Sequence, residues 1–426
     1  MPSASAVWHA GDMASLADVV LPLIRTRAHL SYYAAMDHGF QMNDAAAALH
    51  AAHEDRTHDP VEVYNVTQRA IASALRVVLR ADDSSGVIGD ACRMLLELHP
   101  RAAAAAGIAP DKLVDWMIKF QFHQEIDFFT IDPVAYGPAL GSEGMDRYRA
   151  RLKEMADECG IDSSETSFDF RHGYSHERFL LQWNAQRLAV YDRDVEAIVR
   201  THLRDGRAAA WFTETAAALE EIEAYDDAII WARRGAEFDR DFQAHRAAEH
   251  WCQLLAEHRP DELLDARQWM FDRWPNSEQA AALHQVAGAR WPEFAEQVMQ
   301  RLASTPKEAV LFVYRGVGDI ERAWNLAHEL NLNDLRVWDM LVEDYQQVGP
   351  LAVLPVLREI VSDLLVAADA RNYQEAARRL ARMRRLARDT EQSTAVDDFI
   401  LELREEHRRR PRLQREFDDA KLPRTP

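Results

Sequence analysis

Apolar residues recur at helical spacing along most of this chain. From about residue 176 onward, segments of roughly 12–16 residues repeat this pattern one after another. The segment 61–80, VEVYNVTQRAIASALRVVLR, is typical, and the preceding Asp59-Pro60 pair combines a capping residue with a first-turn proline. Glycine and proline number only 16 each, and runs of the β-branched residues that favour strands are scarce. The sequence therefore predicts an all-α fold.

Three short sequences in the second half share one feature. They are AYDDAIIWA (224–232), GDIERAWNLA (318–327) and RNYQEAARRLA (371–381). In each, an apolar residue is followed three positions later by alanine, at Ala228, Ala323 and Ala376. A small residue there lets the second helix of a hairpin pack closely on the first, as in tetratricopeptide-like (TPR-like) repeats. Because the alanines are unevenly spaced, we expect an irregular α-solenoid of helix hairpins preceded by an N-terminal helical domain.

One polar stretch interrupts the helical pattern. Residues 162–170, DSSETSFDF, carry no helical periodicity and resemble a linker. We therefore predict an N-terminal helical domain over 1–160, a linker over 161–175, and a TPR-like helical repeat domain with basic C-terminal helices over 176–426. Domains of this size are ordinary for a chain of 426 residues.

Charge is unevenly distributed along the chain. The formal net charge is −20, but residues 371–426 hold 15 Lys+Arg against 11 Asp+Glu. Arg378, Arg382 and Arg385 have the spacing of one helical stripe, and a second cluster includes Arg409. The favoured interpretation is a solvated helix face that pairs with the acidic remainder of the chain. The alternative is a site for RNA, DNA or an acidic protein, since a chain this acidic repels phosphates except where cations gather.

Cysteine usage and hydropathy bear on location. Cys92, Cys159 and Cys252 are far apart and form no CxxC pair, so neither a disulfide framework nor a zinc knuckle is predicted. The apolar piece 19–24 is too short to span a bilayer, and no basic region precedes it. We expect a reduced, cytoplasmic protein that does not associate with membranes.

Tryptophans are abundant in the second half, at positions 211, 231, 251, 269, 274, 291, 324 and 338. The favoured interpretation is that most are wedged between stacked helices in the core. The alternative is that some line a groove and anchor a protein partner, with Trp231, Trp251, Trp269 and Trp324 as the candidates.

Histidines raise the possibility of a metal site. His50, His53 and His58 lie close together in sequence, and the first two would share a helix face. However, HEDRTHDP is typical of a helix that ends in a turn, and no HExxH pattern occurs. We therefore predict no metal site and no cofactor.

Residue patterns typical of catalysis are weak. His123 and Asp127 lie among several acids and aromatic residues, and Arg171 and His176 fit the loose Rx4H spacing of some helical ribonuclease domains. Acids at such spacing are mostly surface residues of a helix. There is no GxSxG, and no glycine-rich loop is followed by Lys-Ser or Lys-Thr. We predict no catalytic residues and retain these four as weak candidates.

Several segments resemble a known family. DDSSGVIGDACRMLLELH (82–99), the span 179–238 containing YDDAIIWARRG, and the ending NYQEAARRLARMRRLA…FILELREEHRRRPRLQREFD resemble the C-terminal helical region of actinobacterial SWIM zinc-finger proteins. In that family a CxCx(n)CxH finger precedes the helical region and is thought to bind DNA or protein. This chain has no CxC, so the resemblance implies the helical scaffold and carries over no zinc ligand.

Together these observations predict a non-catalytic helical-repeat scaffold or adaptor that binds a protein partner. One form of this prediction places the scaffold in a nucleic-acid-associated complex. The first alternative is a nucleic-acid-binding protein that uses the C-terminal arginines. The second is a hydrolase or nuclease with a dispersed His/Asp site.

Overall fold

A computed structural model describes residues 15–56, 58–123, 128–160 and 176–424. Within these ranges the regular secondary structure is helical, and one isolated parallel bridge joins Leu30 to Ala81. The predicted all-α fold is confirmed. By internal packing the chain divides into two compact units, 1–250 and 251–426, which we call the N-terminal unit and the C-terminal unit. None of the described helices has the length and apolar character required to cross a bilayer.

Ten helices described in the N-terminal unit precede the one that contains the division. They are α1 (Leu16–Ile24), α2 (Tyr32–Glu54), α3 (Pro60–Val78), α4 (Val87–Ala105), α5 (Pro110–Phe122), α6 (Pro133–Glu158), α7 (His176–Tyr191), α8 (Val195–Leu203), α9 (Ala209–Glu221) and α10 (Tyr225–Phe238). The division between the units falls within α11 (Phe242–His258).

Local sequence accounts for where these helices begin. The Asp59 carboxylate accepts a hydrogen bond from the Val61 amide at 3.2 Å, and Pro60 occupies the first turn of α3 as predicted. Asp83 performs the same task for α4 by accepting from the amides of Ile88 and Gly89. These caps satisfy amides that have no partner within the helix.

Helix α4 is the centre of the N-terminal core, where it packs against α2, α3 and α6. Its Ile88, Leu95 and Leu98 are fully buried. At the contact with α2, a Cβ added to Gly39 would lie 2.7 Å from the Val87 side chain, so only glycine permits this approach. Burial of such aliphatic side chains stabilises the unit by about 1.5–3 kcal/mol each.

A buried polar ring joins α5, α6 and α7. Gln121 donates to the Tyr148 hydroxyl at 2.6 Å, and that hydroxyl donates to the Asn184 Oδ1 at 2.6 Å. Asn184 closes the ring by donating to the Gln121 Oε1 at 2.9 Å. The helices approach closely here, since a Cβ on Gly137 would meet the Tyr191 ring. Helix α7 is therefore an integral part of the N-terminal unit.

The predicted linker over 161–175 lies outside the described residues, and the domain boundary placed there stays a prediction. The unit that packs around α4 extends to His250.

Ten helices follow α11 in the described part of the C-terminal unit. They are α12 (Leu263–Arg273), α13 (Ser277–Ala287), α14 (Ala295–Leu302), α15 (Pro306–Leu311), α16 (Ile320–Glu329), α17 (Leu335–Tyr345), α18 (Leu354–Val366), α19 (Ala370–Leu386), α20 (Ser393–Glu406) and α21 (Pro411–Asp419). A 3-10 segment, Gly288–Glu293, and a π segment, Phe312–Val317, lie between them.

Consecutive helices pack against one another in the C-terminal unit, as in the pairs α16–α17, α17–α18 and α18–α19. The two hairpin alanines in this unit, Ala323 and Ala376, are fully buried, and so is Ala228 in the N-terminal unit. Their methyl groups therefore lie where the close-packing argument requires small residues.

Candidate anion-binding cleft in the C-terminal unit

A cleft of about 560 Å³ opens between α19, the start of α20 and the segment that follows α21. We call it the C-terminal cleft. Most of its lining side chains are either cationic or small. The lining residues are Arg378, Ala381, Arg384, Arg385, Arg388, Ser393, Asp397, Ala420, Lys421 and Leu422.

The amphipathic character of α19 directs its arginines to the cleft. Tyr373, Leu380 and Met383 are buried against the core. Arg378 and Arg385, seven residues apart, lie on a different face because a helix has 3.6 residues per turn. The helix starts where the Asp369 carboxylate caps the amides of the first turn. Sequence periodicity thus fixes one wall of the cleft.

A bidentate ion pair orients one of the cleft arginines. The Arg384 Nε lies 2.7 Å from Asp397 Oδ1, and its Nη2 lies 3.3 Å from Oδ2. Arg384 also donates to the Lys421 carbonyl at 3.3 Å. Paired planar groups of this kind fix geometry as well as charge. Arg384 therefore joins the three chain segments that form the cleft.

The wall that follows α21 is fixed by a buried arginine. Arg404 is 8% exposed and donates to Asp418 at 3.0 Å and to the Leu422 carbonyl at 3.3 Å. Hydrogen bonds from Arg424 and Arg404 lower the pKa of the Asp418 carboxyl. The buried Phe417 ring lies beneath the Arg404 guanidinium, 5.4 Å from its Cζ. Lys421 is thereby held at the cleft.

The remaining cations differ in how strongly they are engaged. Arg378 pairs with Glu375 at 2.7 Å, but its side chain is 72% exposed. Arg385 and Arg388 are exposed and form no ion pair or hydrogen bond within the described ranges, so their guanidiniums are available to a ligand. Five cations against one carboxylate make the lining strongly positive.

Arg382, predicted to share a binding stripe with Arg378 and Arg385, is occupied by the protein itself. Its guanidinium donates to Glu343, Gln346 and the Val342 carbonyl, and the side chain is 11% exposed. Arg379 is engaged in the same way. Burial opposes its charge, but hydrogen bonds to Asp339 and Glu375 raise its pKa. Arg382 pairs with an acidic residue of the protein, as the favoured interpretation describes. The other two arginines of the predicted stripe, Arg378 and Arg385, line the cleft. Arg409 is exposed and lies outside the cleft lining.

Two of the four candidate partner-binding tryptophans lie in the core. Trp324 is 3% exposed and stacks on Tyr345 with ring centroids 4.3 Å apart, and Trp251 is 7% exposed. Neither presents a surface to a partner, because neighbouring side chains already cover its ring. Trp231 and Trp269 are half-buried. The Arg234 guanidinium covers the Trp231 ring at 4.5 Å.

The structure describes two of the four weak catalytic candidates. His123 is exposed at the end of α5, and His176 begins α7. Its Nδ1 is buried and has no hydrogen-bond partner among the described residues. Asp127 and Arg171 lie outside the described residues.

The sequence-adjacent histidines have structural roles of their own. His50 Nε2 lies 2.9 Å from the Met94 carbonyl, and its Nδ1 accepts from Arg101 at 2.9 Å. With both nitrogens engaged, His50 has none for a metal ion. In the described ranges no group of three His, Cys, Asp or Glu side chains is arranged to hold a metal.

Sequence reasoning missed Lys421 and Asp397 as members of the cleft. Neither lies on the arginine stripe, and their approach to α19 depends on how α20 and α21 pack.

Fold and cleft together define an all-helical protein with an arginine-lined cleft in its C-terminal unit. The chain belongs to the Family of unknown function (DUF6880), whose model matches residues 41–412. No curated protein and no solved structure matches the chain.

Proposed function

We propose that this protein is a non-catalytic helical-repeat scaffold whose C-terminal cleft binds an acidic segment of a protein partner. The observation that carries the proposal is the convergence of Arg378, Arg384, Arg385, Arg388 and Lys421 on one cleft in a chain of net charge −20. Arginine forks match carboxylates in a bidentate way, which makes arginine clusters a common means of recognising acidic motifs.

Several features favour an acidic peptide over a nucleic acid. Among the described residues no aromatic side chain lines the cleft, whereas single-stranded nucleic acids are bound largely by stacking on aromatic rings. The arginines that would extend a phosphate-binding track, Arg379 and Arg382, are held by internal carboxylates. A long polyanion would also be repelled by the rest of a chain whose net charge is −20, and this repulsion grows with the number of phosphates.

The proposal includes a finer description of the fold. We propose that the second half forms an irregular, TPR-like α-solenoid, supported by the packing of consecutive helices and by the buried hairpin alanines Ala323 and Ala376. The relationship to SWIM zinc-finger proteins, with its actinobacterial origin, and a cytoplasmic location belong to the same proposal.

The test measures binding of a fluorescent, glutamate-rich peptide to the full chain by anisotropy, beside single-stranded and duplex oligonucleotides of matched charge. In the double variant Arg385→Glu/Arg388→Glu we expect peptide affinity to fall at least about tenfold, because two charge-assisted contacts are reversed. The matched control, Arg409→Glu/Arg412→Glu, makes the same charge change at exposed positions outside the cleft and should alter affinity much less.

Equal losses in the two double variants would show that net charge, not the cleft, governs binding, and would overturn the proposal. Tighter binding of an oligonucleotide than of the peptide, lost in the Arg409→Glu/Arg412→Glu variant, would support the nucleic-acid alternative instead.

A further inference from the structure

A second cleft, of about 710 Å³, lies in the N-terminal unit, where the end of α2, the start of α3, the second half of α4 and the start of α6 meet. We call it the N-terminal cleft. Its lining combines small apolar residues with a basic rim. The lining residues are Ala52, His53, Glu54, Arg56, His58, Pro60, Val63, Pro100, Arg101, Ala104, Ala105, Ala135 and Pro138.

The apolar wall is open because its side chains are short. Ala104 and Ala105 come from the alanine run that ends α4, and Ala135 lies on the first turn of α6. Pro100 and Pro138 add rigid rings, which lose almost no conformational freedom when a ligand covers them. The cleft volume falls in the range typical of small-molecule sites.

Internal hydrogen bonds position the rim on the α4 side. Arg101 donates to His50 Nδ1 at 2.9 Å, and His50 in turn binds the Met94 carbonyl. Arg101 also lies 3.8 Å from Glu54, the one carboxylate of the lining, at a distance that makes only a loose pair. The Arg101 guanidinium is therefore anchored on one side and keeps donors for a ligand.

The turn after α2 places a second guanidinium at the rim. Arg56 has φ +51°, a left-handed conformation that non-glycine residues rarely adopt. Its side chain is exposed and makes no ion pair within the described ranges. His53 also lines the cleft, and burial together with the charge of Arg101 lowers its pKa. At neutral pH the positive charge of the rim thus comes mainly from Arg56 and Arg101.

We infer that the N-terminal cleft binds a small organic anion, a carboxylate attached to an apolar body. The carboxylate would lie against Arg56 and Arg101, and the body would cover Ala104, Ala105 and Ala135. Charge complementarity selects the anion, and the alanine and proline wall selects the apolar body. This inference concerns a different unit from the proposed function and does not depend on it.

The test uses octanoate as the probe, with 1-octanol and acetate as matched controls, and measures binding to the full chain by calorimetry. Octanol keeps the apolar body without the charge, and acetate keeps the charge without the body. We expect octanoate to bind at least about tenfold more tightly than either control, because each control lacks one of the two contacts.

Two variants locate the site. Arg56→Gln should weaken octanoate binding about tenfold by removing a charge-assisted donor. Ala135→Leu, at an exposed helical position, should fill the cleft and abolish binding. Their matched controls, Arg69→Gln and Ala51→Leu, change exposed helical residues of this unit outside the lining and should bind octanoate like the parent chain.

Circular dichroism of all four variants checks that they fold. Two outcomes would overturn the inference: no difference between octanoate and octanol, or undiminished octanoate binding by both folded cleft variants. Failure of the glutamate-rich peptide to bind the C-terminal cleft would leave this result unaffected, so the two proposals fail separately.

Discussion

The two clefts contrast in how they would hold a ligand. The C-terminal cleft is lined by arginines and a lysine with few apolar side chains, so its selectivity is electrostatic. The N-terminal cleft has a wall of alanine and proline beneath a rim that contains Arg56 and Arg101. Both arise where several helices meet and small residues leave space. The chemistry of a helix junction is therefore decided by a few side chains, not by the helical architecture.

The substitution Phe417→Ala should have the largest effect, and it should weaken ligand binding in the C-terminal cleft but not in the N-terminal cleft. Phe417 is fully buried beneath Arg404, and its truncation should cost about 3–5 kcal/mol of unfolding free energy. Loosening of α21 should also displace Lys421, so glutamate-rich peptide binding weakens while octanoate binding in the N-terminal unit persists.

Urea unfolding and both binding assays measure these effects. Phe128→Ala, at a side chain that is 66% exposed, is the control and should change stability by less than about 0.5 kcal/mol. Unchanged peptide binding in a measurably destabilised Phe417→Ala chain would show that α21 does not shape the cleft.

Acid should destabilise the N-terminal unit more than its counterpart. Among the described residues the buried histidines are His99 and His202, both in this unit. Burial lowers the pKa of His99 to about 3 and that of His202 to about 4. In the unfolded chain a histidine has a pKa near 6.5. The stability that comes from keeping these two histidines neutral is therefore fully present above pH 6.5 and is lost as the pH falls from 6.5 toward 3.

Between pH 7.5 and pH 5, the unfolding free energy of the His99→Gln variant should fall by about 2 kcal/mol less than that of the parent chain. One pKa unit corresponds to about 1.4 kcal/mol, and pH 5 lies about 1.5 units below the pKa of an unfolded histidine. Glutamine can still hydrogen-bond the Tyr136 hydroxyl, which His99 Nδ1 contacts at 3.0 Å. Hydrogen exchange of α4 amides at the two pH values measures the change. An identical pH slope in the variant and the parent would contradict the assignment.

Salt should affect the two ligands differently. Raising ionic strength from about 0.05 M to about 0.5 M should weaken peptide binding about tenfold, because exposed charges are screened. Octanoate should lose much less, since part of its binding comes from burial of its apolar body. Equal salt dependence for both ligands would remove the distinction between the clefts.

The smallest effect is expected at the carboxylate of the C-terminal cleft. Asp397→Asn keeps the side-chain shape, removes the one acid of the lining and releases Arg384 from its ion pair. We expect peptide affinity to rise about threefold, because the variant lacks a carboxylate that repels the peptide. The effect is small because solvent screens a partly exposed charge pair. Weaker binding by this variant would instead show that Asp397 positions Arg384 for the ligand.

The sequence predicted the helical class and some local features well. Short-range patterns carry that information, as the Asp59-Pro60 start of α3 and the buried face of α19 illustrate. The sequence could not predict that Arg382 forms an ion pair with Glu343, because that pair depends on how α17 and α19 pack. The N-terminal cleft cannot be predicted from the sequence for the same reason. His53 is close in sequence to other histidines, whereas Pro100 and Ala135 line the cleft from distant helices.

The buried ring of Gln121, Tyr148 and Asn184 has a consequence for synthesis on the ribosome. Helices α5 and α6 emerge before α7, and until then the Gln121 Oε1 lacks its Asn184 donor and the Tyr148 hydroxyl lacks its Asn184 acceptor. Burying a polar group without its hydrogen-bond partner costs free energy. Packing of the first six helices around Gln121 and Tyr148 is therefore less favourable before α7 is present. We therefore expect this part of the core to become buried only after α7 has left the ribosome.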